Sequence, residues 1–519
     1  MYRQSRWNEP LIFEISREGA IGHVLPALEK EVFSELKEAL NEIPKEMRRK
    51  ELNLPELSEL EVIRHFTRLS QMNYGISLGT YPLGSCTMKY NPVINEKLAS
   101  LESVQNVHPL QDQRTTQGSL ELLYKLEKML CEITGMHKFS FIPAAGAHGE
   151  FLGCLMMKAY HKEHGEKRRK VIVPDSAHGT NPASVEMAGF EVNVVKSDET
   201  GCVDVKELAK IATEETAGLM LTNPNTLGIF ERNIEEIVQI IHDVGGLLYY
   251  DGANLNAIMG KVRPGDMGFD IVHLNVHKTF STPHGGGGPG AGPVGVKKEL
   301  QEFLPAPTVE YDSATNSYYL DYNRPKAVGK IKMFYGNFSV YVKTYAYILM
   351  MGAEGLRLAA EASVLGSNYL LSKLRGLKGV AVPFDSGQPR KHEFVLSLSK
   401  LAKDTSVRAL DVAKRFLDYG VHAPITYFPL IIDEAFMVEP TESETKRELD
   451  NYAKILSEII DEAYNEPMKV LGAPYNTSVG RINEVKASHP KTLCLSWRMY
   501  KRGSHSAQKN SSLPHPPEA

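Results

Sequence analysis

A series of strand-like segments separated by helical patterns constrains this chain more than any other feature of its sequence. Between two of these segments, IEEIVQIIHDVG at 234–245 carries apolar residues at helical spacing. Alternation of strands and helices predicts a mostly parallel sheet covered by helices, and therefore an α/β fold. The predicted strands are KVIVPD (170–175), EVNVVKSD (191–198), GLMLTNP (218–224), GLLYYDG (246–252) and IVHLNVHK (271–278).

Changes in composition and in the spacing of apolar residues along the 519 residues predict four regions. Residues 1–115 have the pattern of an irregular arm with a few helices, and 116–345 carry the alternation of a large α/β domain. Residues 346–497 are typical of a smaller C-terminal α+β domain, and the polar, Pro- and Ser-rich tail 498–519 predicts disorder. Within these regions we expect helices at 31–43, 337–374, 407–420 and 443–464, and strands at 139–142 and 393–399.

Bulk composition argues against several classes of protein. The net charge is −4 and the basic runs are short, so we expect no nucleic-acid partner. No apolar run approaches the ~20 residues of a membrane helix, and the first sixteen residues lack the layout of a secretory signal. The five cysteines are scattered without a CxxC pair, so we expect neither a disulfide framework nor a zinc ribbon. A reducing, cytoplasmic location fits this cysteine usage.

Chemistry-bearing residues stand where two predicted strands end. Ligands of open parallel sheets collect outside the carboxyl ends of the strands. Asp251 ends one strand, and His277 and Lys278 end the next. Pyridoxal phosphate needs a lysine amine for a Schiff base and a carboxylate beside its ring nitrogen. Either residue alone could be an ordinary polar strand end, but the pair, flanked by glycines, predicts a pyridoxal phosphate site.

Three turns could complete such a site. The segment PAAGAHGE (143–150) could offer backbone N–H groups to a phosphate at a helix start, or could be a tight turn without a ligand. His178 in DSAHGTN could stack on the cofactor ring or be a surface residue. Thr226 in NPNTLG could reach the ring hydroxyl or serve only the turn.

The glycines that follow Lys278 do not form a nucleotide-binding pattern. They match neither GxxxxGK[ST] nor a helix-opening GxGxxG, which argues against a nucleotide-binding protein. They would let the backbone lie close to a cofactor or a partner chain, or they could form a flexible hairpin. They are Gly285 to Gly288, Gly290 and Gly292.

Long phrases of the sequence carry a family resemblance. HLNVHKTFSTPHGGGGPGAGPVG resembles the cofactor-lysine segment of glycine dehydrogenase (decarboxylating), the P-protein of the glycine cleavage system. Seven more phrases resemble that family in its order: YPLGSCTMKYNP, AGAHGE, DSAHGTNPAS, TNPNTLGIFE, DGANLNAIMG, HAPITYFP and EPTESE. The resemblance extends to about Trp497, and the chain length resembles the cofactor-bearing subunit 2 of the two-subunit form.

The resemblance implies a fold and a function. The fold is fold-type I of the pyridoxal phosphate enzymes, aspartate-aminotransferase-like, with a mostly parallel seven-stranded sheet. The function is decarboxylation of glycine with transfer of the aminomethyl group to the lipoyl group of the H-protein. The implied partners are a P-protein subunit 1, in an α2β2 heterotetramer, and the lipoylated H-protein.

The resemblance also implies roles for single residues. Lys278 would form the Schiff base, and Asp251 would pair with the pyridinium nitrogen. His178 would stack on the ring, while the backbone at Gly146 and Ala147 would hold the phosphate.

Other motif residues have less defined roles. His277 and Thr226 are implied as further cofactor contacts. The residues Ser85, Cys86 and Thr87 would border the site or a subunit interface. No residue is indicated as the group that binds the glycine carboxylate.

Several alternatives stay open. Thr441 with Glu444 fits a helix capping box as well as a catalytic role. His422 could face the substrate or be an interior residue. The chain could be another fold-type I enzyme, such as an aminotransferase or a cysteine desulfurase-like lyase. It could also be a non-catalytic scaffold subunit, although Lys278 argues against that.

Overall fold

The computed structural model describes residues 2–48, 54–284, 290–491 and 493. The glycines Gly285 to Gly288 and the tail 498–519, for which disorder is predicted, lie outside the described residues. The helices are α1 (Lys30–Glu42), α2 (Glu59–Gln71), α3 (Val93–Ala99), α4 (Glu102–Gln105), α5 (Gln117–Thr134), α6 (Gly146–Glu163), α7 (Thr180–Met187), α8 (Val205–Ile211), α9 (Ile234–Asp243), α10 (Val276–Thr279), α11 (Phe338–Leu374), α12 (Ser399–Thr405), α13 (Ala409–Leu417), α14 (Lys446–Asn465), α15 (Pro467–Leu471) and α16 (Glu484–Ser488). The strands are β1 (Lys138–Ser140), β2 (Lys170–Pro174), β3 (Glu191–Val195), β4 (Thr216–Thr222), β5 (Leu247–Gly252), β6 (Ile271–Leu274), β7 (Val294–Val296), β8 (Thr308–Asp312), β9 (Ser317–Asp321), β10 (Phe394–Ser397) and β11 (Ala435–Val438).

A seven-stranded sheet forms the centre of the α/β part, in the order β1-β7-β6-β5-β4-β2-β3. Strand β7 runs antiparallel to both of its neighbours, and the other adjoining pairs are parallel. The sheet is therefore mostly parallel and seven-stranded, as predicted. The helices between the strands cover both faces, as crossover connections require.

Residues of each central strand alternate between two apolar layers. Leu248 and Tyr250 of β5 pack in the layer that contains α5 and α9. Tyr249 packs in the opposite layer, which contains α6. Because side chains alternate along a strand, Asp251 faces the same side as Tyr249 and lies toward α6.

The segment from Leu370 onward builds a second, smaller core. Helix α11 is interrupted at Gly352, where φ is +60° and ψ is −178°. Its later turns pack with α12, α13 and α14 around the antiparallel pair β10–β11. Strands β8 and β9 form a separate two-stranded hairpin.

The chain divides into two compact units. The larger contains Tyr74–Leu471 and with it strands β1 to β11. The smaller comprises Arg3–Asn73 and Gly472–Ala519, and its described part holds α1, α2 and α16. Within the smaller unit α1 buries none of its residues. No helix in the described parts of the chain is long and apolar enough to cross a membrane.

Two local predictions are wrong. The strand predicted over 271–278 stops at Leu274, and Lys278 lies instead in the short helix α10. The residue pairs of the β6–β7 ladder end at His273 with Val294; the Leu274 N–H still donates to the Pro293 carbonyl oxygen at 2.9 Å, but Pro293 has no N–H to return a bond to Leu274. Thr441 and Glu444 do not form a capping box, because α14 begins later and is capped by the Thr445 side chain.

Candidate active site

A cavity of about 210 Å³ lies where strands β4, β5 and β6 end. Thr222 is the last residue of β4, Asp251 is next to last in β5 and Asn275 follows β6, and all three line the cavity. This edge is the one at which open α/β sheets collect ligands. The structure brings all the predicted site residues to its wall: Lys278, Asp251, His178, Gly146, Ala147, His277 and Thr226.

Asp251 is a buried carboxyl group, 2% exposed, surrounded by hydrogen-bond donors. Its Oδ2 accepts from Thr222 Oγ1 and Asn181 Nδ2, each at 3.2 Å. Its Oδ1 accepts from the backbone N–H of Ala253 at 3.0 Å. Burial tends to raise the pKa of Asp251, but His273, Lys278 and these donors outweigh burial and lower it. Asp251 is therefore ionised at neutral pH.

Tyr249, His273 and Asp251 form a chain of hydrogen-bond contacts that ends at the Asp251 carboxylate. Asp251 pairs in register with His273 on β6, and His273 Nε2 lies 3.3 Å from Asp251 Oδ1. The other ring nitrogen, Nδ1, is 2.7 Å from the Tyr249 hydroxyl. Burial lowers the pKa of His273 to about 4, and burial keeps the pKa of Tyr249 well above its ordinary value. Tyr249 thus donates to a neutral imidazole, whose Nε2–H points to Asp251.

Glu150 is a second carboxyl group in the cavity wall, with the opposite ionisation. It is 4% exposed, and it accepts from Thr180 Oγ1 at 2.9 Å and from Ser184 Oγ at 3.3 Å. Burial, together with the charge of Asp251, raises the pKa of Glu150 to about 8. At neutral pH the site therefore holds one charged and one protonated carboxyl group side by side.

Helix α6 begins at the cavity with Gly146, so its first backbone N–H groups have no acceptor within the helix. A Cβ at Gly146 would lie 2.3 Å from Asn275 Oδ1. A Cβ at Gly292, in the chain that leads into β7, would lie 2.2 Å from the Ala145 carbonyl oxygen. Glycine at these two positions is what lets the chain pack closely around the start of α6.

The two residues of α10 that line the cavity are His277 and Lys278. The Nδ1 atom of His277 is buried and has no hydrogen-bond partner among the described residues. Burial lowers the pKa of His277 to about 3, with further contributions from His284 and Lys278. His277 is therefore neutral.

His178 and Thr226 also line the cavity. His178 Nδ1 is 2.9 Å from Thr180 Oγ1, and its ring meets Phe428 edge-on at 5.3 Å between centroids. Thr226 Oγ1 donates to the Ser176 carbonyl oxygen at 2.6 Å, which leaves its lone pairs to accept.

Two buried glutamates hold the turn that contains Ser85. The backbone N–H of Ser85 donates to Glu393 Oε2 at 2.6 Å, and that of Thr87 donates to Glu439 Oε2 at 2.9 Å. Ser85 and Thr87 have left-handed backbones, with φ of 60° and 47°. Burial raises the pKa of Glu439 to about 7 and that of Glu393 well above its ordinary value. Ser85 lines the cavity, whereas Cys86 behind it is a partly buried thiol whose pKa is raised by burial.

His422 belongs to the interior of the fold. Its ring stacks on Tyr81 at 3.7 Å between centroids, and its Nδ1–H donates to the Ala423 carbonyl oxygen at 2.8 Å. It is not part of the cavity wall.

The sequence missed several residues of this site. His273 and Thr222 lie inside predicted strands, and only the register between strands shows that they flank Asp251. Glu150 lies in the AGAHGE phrase, but nothing local indicates that it faces a carboxylate. Glu393 and Glu439 come from segments more than 100 residues away from Lys278.

Comparison with known families agrees with this geometry. A family model described as Glycine cleavage system P-protein matches residues 23–317. The chain belongs to the glycine cleavage system P-protein family. A second model, described as Glycine dehydrogenase, C-terminal domain, matches residues 359–470.

Relatives in this family match the chain over nearly its full length. The probable glycine dehydrogenase (decarboxylating) subunit 2 of Pyrococcus horikoshii is 58% identical over 503 residues, covering 96% of this chain and 98% of that protein. The protein of the same name from Caldanaerobacter subterraneus subsp. tengcongensis is 58% identical over 480 residues, covering 92% of this chain and 97% of that protein.

Solved structures share the fold. The inhibitor-bound glycine decarboxylase (P-protein) of the glycine cleavage system has a TM-score of 0.71 at 22% identity, and the match covers 84% of this chain and 100% of that one. A NifS-like protein has a TM-score of 0.57 at 15% identity, covering 74% of this chain and 99% of that one. The predicted fold class, fold-type I, is confirmed by these likenesses.

Proposed function

We propose that this chain is the pyridoxal phosphate-dependent glycine dehydrogenase (decarboxylating) subunit that releases CO2 from glycine. It passes the remaining aminomethyl group to the lipoyl group of an H-protein. The observation that supports this most is the joint position of Lys278 and Asp251 in one cavity, next to the start of α6. Membership of the P-protein family supports the choice of substrate.

The groups around the cavity fit the functional groups of pyridoxal phosphate. An aldehyde needs an amine, and Lys278 supplies one. A protonated ring nitrogen needs a charged carboxylate, and the donors around Asp251 keep it ionised. A phosphate needs N–H groups at a helix start, and α6 offers those of Gly146 and Ala147. His277, which also lines the cavity, is available for a further contact.

Bound pyridoxal phosphate supplies an aldehyde for the substrate amine and a protonated ring that accepts the electron pair of the broken bond. Asp251 holds the proton on the ring nitrogen, and His273 fixes Asp251 for that task. His178 would stack on the ring face, Thr226 would contact the ring hydroxyl, and the α6 start would bind the phosphate. Glu150, in its protonated form, adds no second charge beside Asp251.

The scarcity of cations in the cavity favours loss of the carboxylate. Among the described residues of its wall, Lys278 is the one with a cationic side chain, and no arginine is present. A strong ion pair would stabilise the bound glycine carboxylate more than the departing CO2, and so would slow the reaction. Neutral donors such as the Ser85 hydroxyl suit a group that must lose its charge.

The proposed partners are a P-protein subunit 1, in an α2β2 heterotetramer, and the lipoylated H-protein. Relatives named subunit 2 support the first of these. Helix α1 also supports a partner subunit, because it exposes an apolar face that a protein could cover. This face consists of Val32, Phe33, Leu36 and Leu40.

Region boundaries and location are part of the same proposal. Most of the cofactor site belongs to a large domain at 116–345, an arm at 1–115 contributes Ser85 to it, and a smaller domain follows at 346–497. A cytoplasmic location is supported by Cys86, Cys131, Cys154 and Cys202, which are free thiols in the described part of the chain.

The test combines Lys278→Ala with the matched variant Lys298→Ala, which removes an exposed lysine. The chain is co-expressed with a candidate subunit 1 and assayed for exchange between glycine and bicarbonate in the presence of lipoylated H-protein. We expect Lys278→Ala to lose both exchange and the visible absorption of bound cofactor, while Lys298→Ala keeps both. Unchanged exchange in Lys278→Ala would contradict the proposal.

Two other outcomes would identify the competing functions. Amino-group transfer from glycine to a keto acid, without exchange, would indicate an aminotransferase. A purified complex that never carries pyridoxal phosphate would indicate a scaffold subunit. The variant Asp251→Asn separates the role of the carboxylate, because it should bind cofactor yet lose most of its turnover.

A further inference from the structure

The segment 83–90, which we call the bridging segment, connects the surroundings of Lys278 with the β10–β11 part of the fold. Its backbone is held by Glu393 and Glu439, as described above. At its far end, the Tyr90 carbonyl oxygen accepts a hydrogen bond from Ser281, and the Tyr90 N–H donates to Ser443 Oγ at 3.1 Å. The segment thus contacts both the chain that follows Lys278 and the chain that follows β11.

Lys89 in this segment is a buried lysine with two fixed partners. It is 7% exposed, and a lysine is seldom this buried unless it is paired. Its Nζ forms an ion pair with Glu442 Oε1 at 2.5 Å and donates to the Thr279 carbonyl oxygen at 2.7 Å. The ammonium also lies 5.2 Å from the centre of the Tyr347 ring.

The hydrogen bond from Lys89 to Thr279 acts on the backbone next to Lys278. Thr279 directly follows Lys278 and is the last residue of α10. The carbonyl oxygens at the end of a helix accept no hydrogen bond from the helix itself, and a lysine side chain can donate one to them. Lys89 therefore holds the backbone from which Lys278 extends into the cavity.

Glu442 fixes Lys89 from the other side. Its side chain is 11% exposed, and its second carboxylate oxygen, Oε2, is buried without a hydrogen-bond partner in the described structure. Loss of Lys89 would leave this carboxylate without its cation. The pair and the Thr279 carbonyl form one chain of contacts that leads from the segment after β11 to Lys278.

We propose that Lys89 is a positioning residue that fixes the backbone of Lys278 for capture of the cofactor, with Glu442 holding Lys89 in place. The proposal rests on the proposed function, in which Lys278 is the amine that binds the cofactor aldehyde. Neither residue lines the cavity, so the effect acts through Lys278 and not by direct contact with a ligand.

The test measures cofactor capture directly in the full chain with its partner subunit. Pyridoxal phosphate is titrated by visible absorption, and the bound fraction is then reduced with borohydride and located by peptide mass on Lys278. For Lys89→Met we expect cofactor affinity to fall about 10- to 100-fold, the effect of one lost hydrogen bond from a charged donor. Glu442→Gln should lower the affinity in the same direction.

The double variant Lys89→Met/Glu442→Gln keeps the test valid if Lys89→Met does not fold, because it leaves no unpaired buried carboxylate. The effects of substitutions at two residues in contact are not additive, so we expect the cofactor affinity of the double variant to be no lower than that of Lys89→Met. Lys138→Met is the matched control: Lys138 is 9% exposed, pairs with Glu310 Oε1 at 2.5 Å and lies outside the cavity wall. It should lower thermal stability without changing cofactor affinity.

The outcomes are distinct. An affinity of the double variant within about twofold of the unaltered chain overturns the positioning role of Lys89, since the lost hydrogen bond would then have no effect on capture. Failure to trap any cofactor on Lys278 in the unaltered chain would instead overturn the proposed function.

Discussion

Glu150 offers a test of the electrostatics of the site that needs no catalysis. Burial and the neighbouring Asp251 raise the pKa of Glu150 to about 8, against an ordinary value of 4.5. The folded chain therefore keeps a proton on Glu150 that the unfolded chain releases. A group with a raised pKa favours folding at low pH, and this contribution is lost as the pH rises from about 4.5 to about 8.

The replacement Glu150→Gln keeps the shape of the protonated acid but cannot ionise. Each pH unit in that window changes the free energy of unfolding by about 1.4 kcal/mol, so the full window amounts to about 5 kcal/mol. Because Asp251 can take part in the proton exchange, we expect an observed difference of about 2–4 kcal/mol between pH 5 and pH 8. The variant should be the more stable protein at the higher pH, with no further gain above about pH 8.

The assay is urea unfolding of the cofactor-free protein at one-unit steps from pH 5 to pH 9. Glu186→Gln, which changes an exposed carboxyl group on α7, serves as the matched control and should give a difference that stays flat. A flat difference for Glu150→Gln as well would refute the reasoning, because it would mean that Glu150 loses its proton at the ordinary pH.

Three further changes have expected outcomes. His273→Phe removes a donor to a buried carboxylate and should lower the free energy of unfolding by about 1–3 kcal/mol, with altered absorption of the bound cofactor; an unaltered spectrum would argue against its supporting role. Gly292→Ala places a Cβ 2.2 Å from a backbone oxygen at the start of α6 and should cost about 1–3 kcal/mol and weaken cofactor binding. Gly118→Ala, with open space around its Cβ, is the control, and equal losses in both would contradict the packing argument. Leu36→Glu with Leu40→Glu should abolish co-purification with subunit 1 while the circular dichroism of the chain stays unchanged; continued co-purification would exclude α1 as the contact.

Short apolar runs were enough to predict the central strands, because each is buried on both faces and bounded by turn residues. The end of β6 was not predictable in this way. The paired residues of β6 and β7 end beside Pro293, which lies about 20 residues further along the chain and has no N–H to donate to Leu274. The local pattern therefore placed Lys278 correctly just after the buried part of β6, but it predicted a strand where the structure has the short helix α10.

The residues of the site divide along the same line. Asp251 lies near the end of β5 and Lys278 in the short helix that follows β6, and both were found because the fold class predicts ligands just beyond strand ends. His273 and Glu150 were missed because their importance comes from neighbours on other elements. Lys89 illustrates the limit most clearly, since its phrase SCTMK was recognised in the sequence, while its two partners lie 190 and 353 residues away.

The row formed by Thr222, Asp251 and His273 across three adjacent strands has a consequence for biogenesis. If β5 were displaced by a single residue, the Asp251 side chain would turn to the opposite face of the sheet, and the donors that keep it charged would be left behind. A mispaired chain could therefore be compact and yet unable to retain the coenzyme. The fraction of newly made protein that becomes coloured is thus a readout of how faithfully the strands have aligned.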